Sequence, residues 1–465
     1  MTTTPQSRTA GKEEARKTTP GWAALLAASI GQFLVVLDVS VVNVALPQVR
    51  AGLGLGATGL QWVVTAYVVT FAGFLLLGGR AADLFGRKRI FLLGLGVFTA
   101  ASLAGGVAQS GGLLIVARAA QGLGAAVLAP VTLSLVTATF PAGPARTRAI
   151  ALWTAVGTAG GATGGLVGGV LTDFLNWRWV FLSNVPVGAV VVLVALLWLR
   201  DDGTAGNRVR LDLPGAVLVT VGVGSLAYGI GRVESHGWEG LIPLAAGLVL
   251  LAAFVAVEAR TAQPLLRLGL FRLRSVAVGN LATLIITMGG FAMWYFLSLY
   301  MQQVLGYSAV RAGLGFLPHT LGIIVGSRLA PMLMERMDPR LLAGAGGAMA
   351  AAGFAWQSVV MDADGTFLAS IFGPGALMAI GYGFVMTPLV EASTRGAPKS
   401  EAGAVAGVVN TARTIGGAIG LTVLGAAAAA SGPAPVDGYA TAFLVAALVA
   451  AAGSVLVAFL PGRRA

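Results

Sequence analysis

The stretch Gly79-Arg80-Ala81-Ala82-Asp83-Leu84-Phe85-Gly86-Arg87-Lys88-Arg89 places four cations and one carboxylate between two long apolar runs. So compact a charged loop between hydrophobic spans must lie at a membrane face, and short cationic loops are retained on the cytoplasmic side. That assignment orients every other segment. The spacing Gly79-x-x-x-Asp83-x-x-Gly86-Arg87-Lys88 suits a tight turn. Its carboxylate would cap the positive end of a neighbouring helix, while Arg87 and Lys88 stay with phosphates or acidic side chains. Contacts of that kind form in one arrangement of two helix bundles and break in the other. Gly79, Asp83, Gly86, Arg87 and Lys88 are therefore expected to act as a gating loop. For Lys88 and Arg89, orienting the chain is by itself a sufficient role.

The rest of the composition agrees with a membrane. Hydrophobic residues fill 57% of 465 positions, charged residues 10%, and mean hydropathy is +0.85. These values exclude a soluble core. The net charge of +12 lies in loops and forms no basic face interleaved with aromatics, so it reads as topology and not as nucleic-acid binding. With no cysteine and only His236 and His319, disulfides, thiolate chemistry and a metal site are not expected.

A helix needs about 20 apolar residues to span a bilayer. Fourteen stretches qualify: 22–46, 59–78, 90–108, 112–137, 147–171, 178–199, 211–231, 238–257, 276–300, 308–331, 340–361, 366–390, 403–429 and 439–460. With the N-terminus inside, only Arg50, Arg178, Arg232 and Arg311 fall in outer loops, and only Arg118 and Arg413 within spans. All other cations are inside, so both termini are expected in the cytoplasm. Two breaks, 200–210 and 258–275, bracket spans 7 and 8, and the second contains the amphipathic run Leu265-Leu266-Arg267-Leu268-Gly269-Leu270-Phe271-Arg272. The expected division is a tail at 1–21, a six-helix bundle at 22–199, a linker with the inserted pair at 200–275, a second six-helix bundle at 276–460 and a tail at 461–465. The stretch from Gly326-Ser327-Arg328 to Asp338-Pro339-Arg340 occupies the place of the Gly79–Arg89 loop in the second half, a faint internal repeat.

An ionisable side chain at membrane depth is costly enough to imply function. Span 1 reads Leu37-Asp38-Val39-Ser40-Val41-Val42-Asn43-Val44-Ala45-Leu46-Pro47. At about 100° per residue, Ser29, Gln32, Ser40 and Asn43 share a face and Asp38 points nearly the opposite way. If the polar stripe lines a cavity, Asp38 faces a neighbouring helix. Arg118 on span 4 is its expected partner, because each lies about 9–12 Å from the outer end of its helix. The pair serves either proton coupling or a static brace, and the poor stabilising power of buried ion pairs favours coupling.

Span 5 carries Gly157, Gly160, Gly161, Gly164, Gly165, Gly168 and Gly169, a density that lets helices meet backbone to backbone. On span 13, Arg413 has no carboxylate at its depth, since Glu391 and Glu401 sit at the inner boundary. His319 follows Pro318 and either titrates or satisfies carbonyls freed by the proline. Gln32, Asn43, Gln121, Trp153, Trp294, His319 and Arg413 are the candidate cavity residues. Further aromatics, among them Trp62, Tyr67, Tyr295 and Tyr382, fit either the cavity wall or the core.

These segments together resemble the major facilitator superfamily, and within it the fourteen-helix drug:proton antiporters of the multidrug efflux type. The resemblance rests on the Gly79–Lys88 spacing, with Leu84 at a position usually Arg, and on Leu37–Pro47. It rests further on Arg118-x-x-Gln121-Gly122-x-Gly124 to Pro130, and on Asn410-Thr411-Ala412-Arg413-Thr414-Ile415-Gly416-Gly417. The antiporter motif Gly160-x-x-x-Gly164-Gly165-x-x-Gly168-Gly169, followed by Trp177-Arg178-Trp179-x-Phe181-x-x-Asn184-x-Pro186, has Gly165 in place of the usual Pro. The resemblance implies an all-α polytopic membrane protein of the major facilitator fold, two six-helix bundles plus an inserted pair. It also implies alternating-access efflux of small hydrophobic drugs, antibiotics or toxic metabolites across the cytoplasmic membrane.

No Gly-Lys-Ser/Thr phosphate loop is present, so active transport would draw on an ion gradient. Asp38 makes the proton the simplest coupling ion, with sodium the other choice. The expected partners are a hydrophobic small molecule, the lipid bilayer and protons, with no nucleic acid and no cofactor, for a protein acting as a monomer and not as an enzyme. A narrow metabolite exporter or an importer on the same scaffold is the alternative reading. A membrane sensor or enzyme finds no nucleophile–base constellation to support it. Paralogues that move polyvalent cations carry extra acidic residues in helices 10 or 13, and none occurs here. Neutral, weakly charged or anionic cargo therefore fits as well as a lipophilic cation.

Overall fold

The computed structural model describes residues 19–141, 143–200, 211–261, 264–395, 402–431 and 434–462. Most of the expected N-terminal tail and the 201–210 break lie outside the described residues. Described secondary structure is helical throughout. The first bundle holds α1 (Gly21–Leu53), α2 (Ala57–Phe85), α3 (Arg87–Gly106), α4 (Gly111–Thr139), α5 (Pro144–Phe174) and the paired α6 (Trp179–Leu182) and α7 (Asn184–Trp198). The inserted pair is α8 (Leu213–His236) and α9 (Leu241–Arg260). The second bundle runs through α10 (Arg274–Leu299), α11 (Ala309–Gly315) with α12 (Leu317–Met334), α13 (Pro339–Val360), α14 (Gly373–Thr394), α15 (Ala402–Ala429) and α16 (Pro435–Val457).

Among the described residues, thirteen segments are long and apolar enough to cross a membrane. The fourteenth crossing, α13, is rich in glycine and alanine and packs between α14 and α16. Fourteen crossings bring residues 19 and 462 to one side, here called the terminal face.

The charged stretch read as a loop is almost entirely helix. α2 continues to Phe85, α3 starts at Arg87, and only Gly86 stands between them, at φ +92°. A left-handed residue is what so abrupt a reversal requires, and glycine adopts it without steric cost. Gly79 is helical and faces inward, whereas its neighbour Gly78 is the close-approach residue: a Cβ there would collide with the Ala126 carbonyl of α4. Pro318 likewise sits at a break and not inside a continuous helix, since α11 ends at Gly315 and α12 begins at Leu317.

The two bundles meet along three seams, α1 with α10, α5 with α11 and α2 with α15. The inserted pair sits outside the last of these, with α8 against both α2 and α15. A Cβ on Gly73 of α2 would overlap the Thr220 side chain of α8, so α8 lies directly on the bundle. The connection from α9 to α10 includes a short 3-10 turn, Leu268–Arg272, with Leu270 buried and Arg267 and Arg272 exposed, as its amphipathic pattern predicts.

Candidate functional site

A cavity of about 920 Å³ lies between the bundles, within the roughly 300–1,000 Å³ typical of small-molecule sites. Its walls are mainly aliphatic and aromatic, with Gln32, Ser40 and Asn43 from α1, Trp153 from α5, Trp294 from α10, Tyr382 from α14 and Arg413 from α15. The lining extends toward the terminal face as far as Gly79 and Gly407.

The opposite end is closed by contacts between the bundles. Ser298 donates to the Asn43 carbonyl at 2.7 Å, and Gln302 Nε2 donates to the Val44 carbonyl at 2.9 Å. Asp173 at the end of α5 accepts from the Ala309 and Val310 backbone amides at the start of α11. The cavity thus reaches toward the terminal face, its lining running to Gly79 and Gly407, and is sealed on the far one.

The glycines of α5 explain how that seal closes. On one edge a Cβ at Gly160 or Gly168 would stand 2.9 Å from the Phe33 carbonyl or 2.7 Å from the Val41 carbonyl, and one at Gly164 would collide with Ser40, so this edge is fitted to α1. On the other, Gly165 and Gly169 face α11, where a Cβ at Gly169 would stand 2.6 Å from the Ala309 carbonyl and Gly313 abuts the Gly165 backbone. One helix therefore carries an edge within its own bundle and an edge across the boundary. α5 is one continuous helix with glycine at 165, where the related motif has proline.

Behind the α1 wall lies a fully buried polar cluster. Arg118 Nη1 donates to Asp38 Oδ2 at 2.5 Å and to Gln121 Oε1 at 3.0 Å, and its Nε donates to the Val63 carbonyl. Asp38 Oδ1 accepts from Gln121 Nε2 at 3.1 Å and Asn184 Nδ2 at 3.3 Å, and Gln121 also donates to Ser102 Oγ at 2.7 Å. Asp38, Gln121 and Ser102 have no exposed surface and Arg118 and Asn184 have 1%. The guanidinium carbon stands 4.3 Å from the centre of the Tyr67 ring, and Tyr67 also lines the cavity. A single aromatic layer separates ion pair from cavity, in cation–π contact with the arginine. Three donors thus converge on the two oxygens of Asp38, and the cluster depends on both remaining acceptors.

Of the residues singled out in the sequence, the structure brings together Asp38 and Arg118, and it sets Gln32, Asn43, Trp153, Trp294 and Arg413 on the cavity wall. Gln121 and His319 are not on that wall. Gln121 turns away to bridge Asp38, Arg118 and Ser102. His319 is fully buried behind Trp294 and Phe316, its ring against Gly375 of α14. Arg87 Nε donates to Ser134 Oγ on α4 and Lys88 Nζ to the Leu196 carbonyl on α7, both inside the first bundle. The Asp83 side chain lies outside the described residues. Asn184, Ser102, Tyr67 and Asp173 complete the arrangement without having been assigned these partners from sequence. Asn184 stood in the quoted motif, but nothing in its spacing pairs it with Asp38.

In the second half, Asp338 accepts from the Arg340 backbone N–H and lies 3.7 Å from Arg395, which reaches Glu391 at 3.5 Å. A charged cluster therefore stands at the terminal face where the repeat suggested one.

Comparison with known proteins agrees with this geometry. The profile of the Major Facilitator Superfamily matches residues 28–421. A cephamycin export protein of Amycolatopsis lactamdurans is 49% identical over 88% of this chain and 85% of its own, and a puromycin resistance protein of Streptomyces alboniger is 40% identical over 87% and 81%. Among solved structures, an auto-inhibited peptide transporter of the POT family superposes with a TM-score of 0.72 at 15% identity, covering 94% of this chain and 96% of that one. The last shows shared fold alone.

Proposed function

The chain belongs to the major facilitator superfamily, a family of membrane transporters, and from that premise we propose that it exports small hydrophobic, antibiotic-like compounds in exchange for protons. The observation that carries this reading is the division of labour between two adjoining sites. Cargo has a large apolar cavity that reaches toward the terminal face and is sealed on the far one, and the ionisable pair is buried behind Tyr67. The positive-inside bias makes the terminal face cytoplasmic, so this is the loading state of an exporter. The names of the relatives, one an export protein and one a resistance protein, support the same direction.

Arg413 is the one charged side chain among the cavity-lining residues, and it has no hydrogen-bond or ion-pair partner among the described residues. A neutral cargo rich in acceptors, or an anion such as a carboxylate, would satisfy it, and a lipophilic cation would be repelled. In the cycle we propose, a proton reaching Asp38 removes its attraction for Arg118 and frees α1 to move against α4. The far-face seal on α11 then opens and cargo leaves. Loss of that proton toward the cytoplasm rebuilds the cluster and returns the cavity to the terminal face.

The test is dye efflux from proteoliposomes under an imposed pH gradient, with native protein beside Asp38→Asn. Gradient-dependent efflux that Asp38→Asn abolishes supports export and the coupling residue together. Normal pumping by Asp38→Asn removes the proposed mechanism, and flux in the opposite direction removes the exporter reading.

A further inference from the structure

A second, smaller cavity of about 300 Å³ lies beside the α2–α15 seam, under the connection from α9 to α10. The inserted pair contributes Val219 and Phe254, the connection contributes Leu265, Leu266 and Phe271, and α10 closes it with Ala277, Leu281 and Leu284. No charged residue lines it. The connection is pinned over it, because Glu258 Oε2 accepts from the Leu266 backbone N–H at 2.9 Å. Leu281 is half exposed, so the chamber has a wall toward lipid. Asn280 stands six residues inside Arg274, about 9 Å below the start of α10, within one membrane leaflet on the terminal face.

Two observations give the chamber chemistry. Asn280 is 5% exposed, its Nδ2 donates to the Val276 carbonyl at 2.8 Å, and its Oδ1 has no partner. Thr411 Oγ1, also on the lining, already donates to the Gly407 carbonyl at 3.0 Å and retains only acceptor capacity. Both polar groups in an otherwise apolar chamber therefore await a donor, and a buried acceptor left unmet is unfavourable.

The chamber also adjoins the central cavity. Along α15, Gly407, Asn410, Arg413 and Thr414 face the central cavity and Val408, Thr411, Ala412 and Ile415 face the side chamber. Leu76 lines both, and a Cβ on Gly407 would stand 3.0 Å from Leu76 Cδ2.

We propose that the side chamber is a second binding site, for neutral lipophilic molecules bearing one N–H or O–H donor that arrive dissolved in the cytoplasmic leaflet, and that Leu76 and Gly407 form the door to the central cavity. It rests on the export reading and gives the inserted helix pair a task within it. The pair and its connection roof a waiting room beside the seam, Asn280 and Thr411 select the donor, and the missing side chain at Gly407 leaves Leu76 room to swing.

The experiment uses full-length protein in phospholipid nanodiscs, irradiated with 4-aminobenzophenone, which carries a donor, or benzophenone, which does not. The amino probe is expected to label peptides containing Leu281, Leu284 and Ile415. Asn280→Leu lowers that labelling about fivefold, the loss of roughly one hydrogen bond, and leaves benzophenone labelling unchanged. Gly407→Val retains label in the side chamber and slows its appearance in peptides containing Trp153 and Trp294. Absence of side-chamber label, equal labelling by the two probes, or indifference to Asn280→Leu overturns the proposal. So does label that vanishes as the lipid-to-protein ratio rises, which marks a chamber for lipid chains. Labelling needs no flux, so failure of the exporter reading would appear in the efflux assay and not here.

Discussion

Asp173, near the end of α5, accepts hydrogen bonds from the backbone N–H groups of both Ala309 and Val310, at 3.1 and 2.8 Å, across the boundary between the two bundles. A carboxylate of one bundle thereby caps the N-terminus of a helix in the other, and the cap exists only while the far face is closed.

Removing it should favour the open far face. Hydrogen bonds to a charged acceptor contribute about 1.5–3 kcal/mol, so Asp173→Ala should raise far-face opening at least tenfold, at roughly 1.4 kcal/mol per decade. The chain has no cysteine, so Val44→Cys, buried beneath the seal, provides a single label site. Its reaction with a membrane-impermeant maleimide added on the far side should accelerate by that factor in the Asp173→Ala background. An unchanged rate would remove Asp173 from the seal.

Gly169→Val should act in the same direction by steric means. Its Cβ would stand 2.6 Å from the Ala309 carbonyl, a contact that neither backbone can relieve without separating. The expected phenotype is a carrier that folds but stays open on the far face, with Val44→Cys labelled quickly whether or not a pH gradient is imposed. Slow labelling together with normal export would mean that α5 and α11 need not touch.

The Asp38–Arg118 pair allows coupling and bracing to be separated. Arg118→Ala strands a buried carboxylate and should cost about 3–5 kcal/mol, whereas replacing both partners, as in Asp38→Leu with Arg118→Met, should cost little. Melting temperature checks the first statement. Uphill transport under a pH gradient checks the second role: the double variant should be stable yet unable to concentrate cargo, and one that still pumps would reduce the pair to a brace.

Arg413→Gln should raise the KM for an anionic dye about tenfold, the worth of one charge-assisted hydrogen bond, and leave a neutral dye nearly unaffected. Arg413→Lys should fall between, since a point charge replaces a planar fork. Equal effects on the two dyes would show that Arg413 shapes the cavity without reading charge.

How much of this was legible in the sequence follows from the range of each signal. Hydropathy marks helices because it is local, and the cation count orients them because it is a sum over the chain. Asp38 and Arg118 could be matched in depth by counting residues from the helix ends, and Gln32 and Asn43 could be placed on one face by periodicity. The turn at Gly86 was misjudged as a long loop because charge marks a membrane face and not a helix end: Arg80 and Asp83 simply continue α2. Gln121 and His319 read as cavity residues because both are polar at the right depth, but rotation about the helix axis and the presence of Trp294 in front are tertiary facts. Asn184, Ser102 and Asp173 were invisible as partners because each is paired across a long separation in the chain, where no pattern reports distance.

The two faces of the molecule carry different kinds of contact. At the terminal face, Asp338, Arg340, Arg395 and Glu391, all of the second bundle, lie 3.5–3.8 Å apart and partly exposed, so their attraction is weakened by dissolved salt. At the far face, the described contacts include backbone against backbone, hydroxyl and amide to carbonyl, and helix end to carboxylate, with no described ion pair across the α5–α11 seam. Apart from Asp173, the described far-face contacts are made by uncharged groups, so the barrier should weaken little as salt rises, and fluctuating osmolarity should not turn the carrier into a leak.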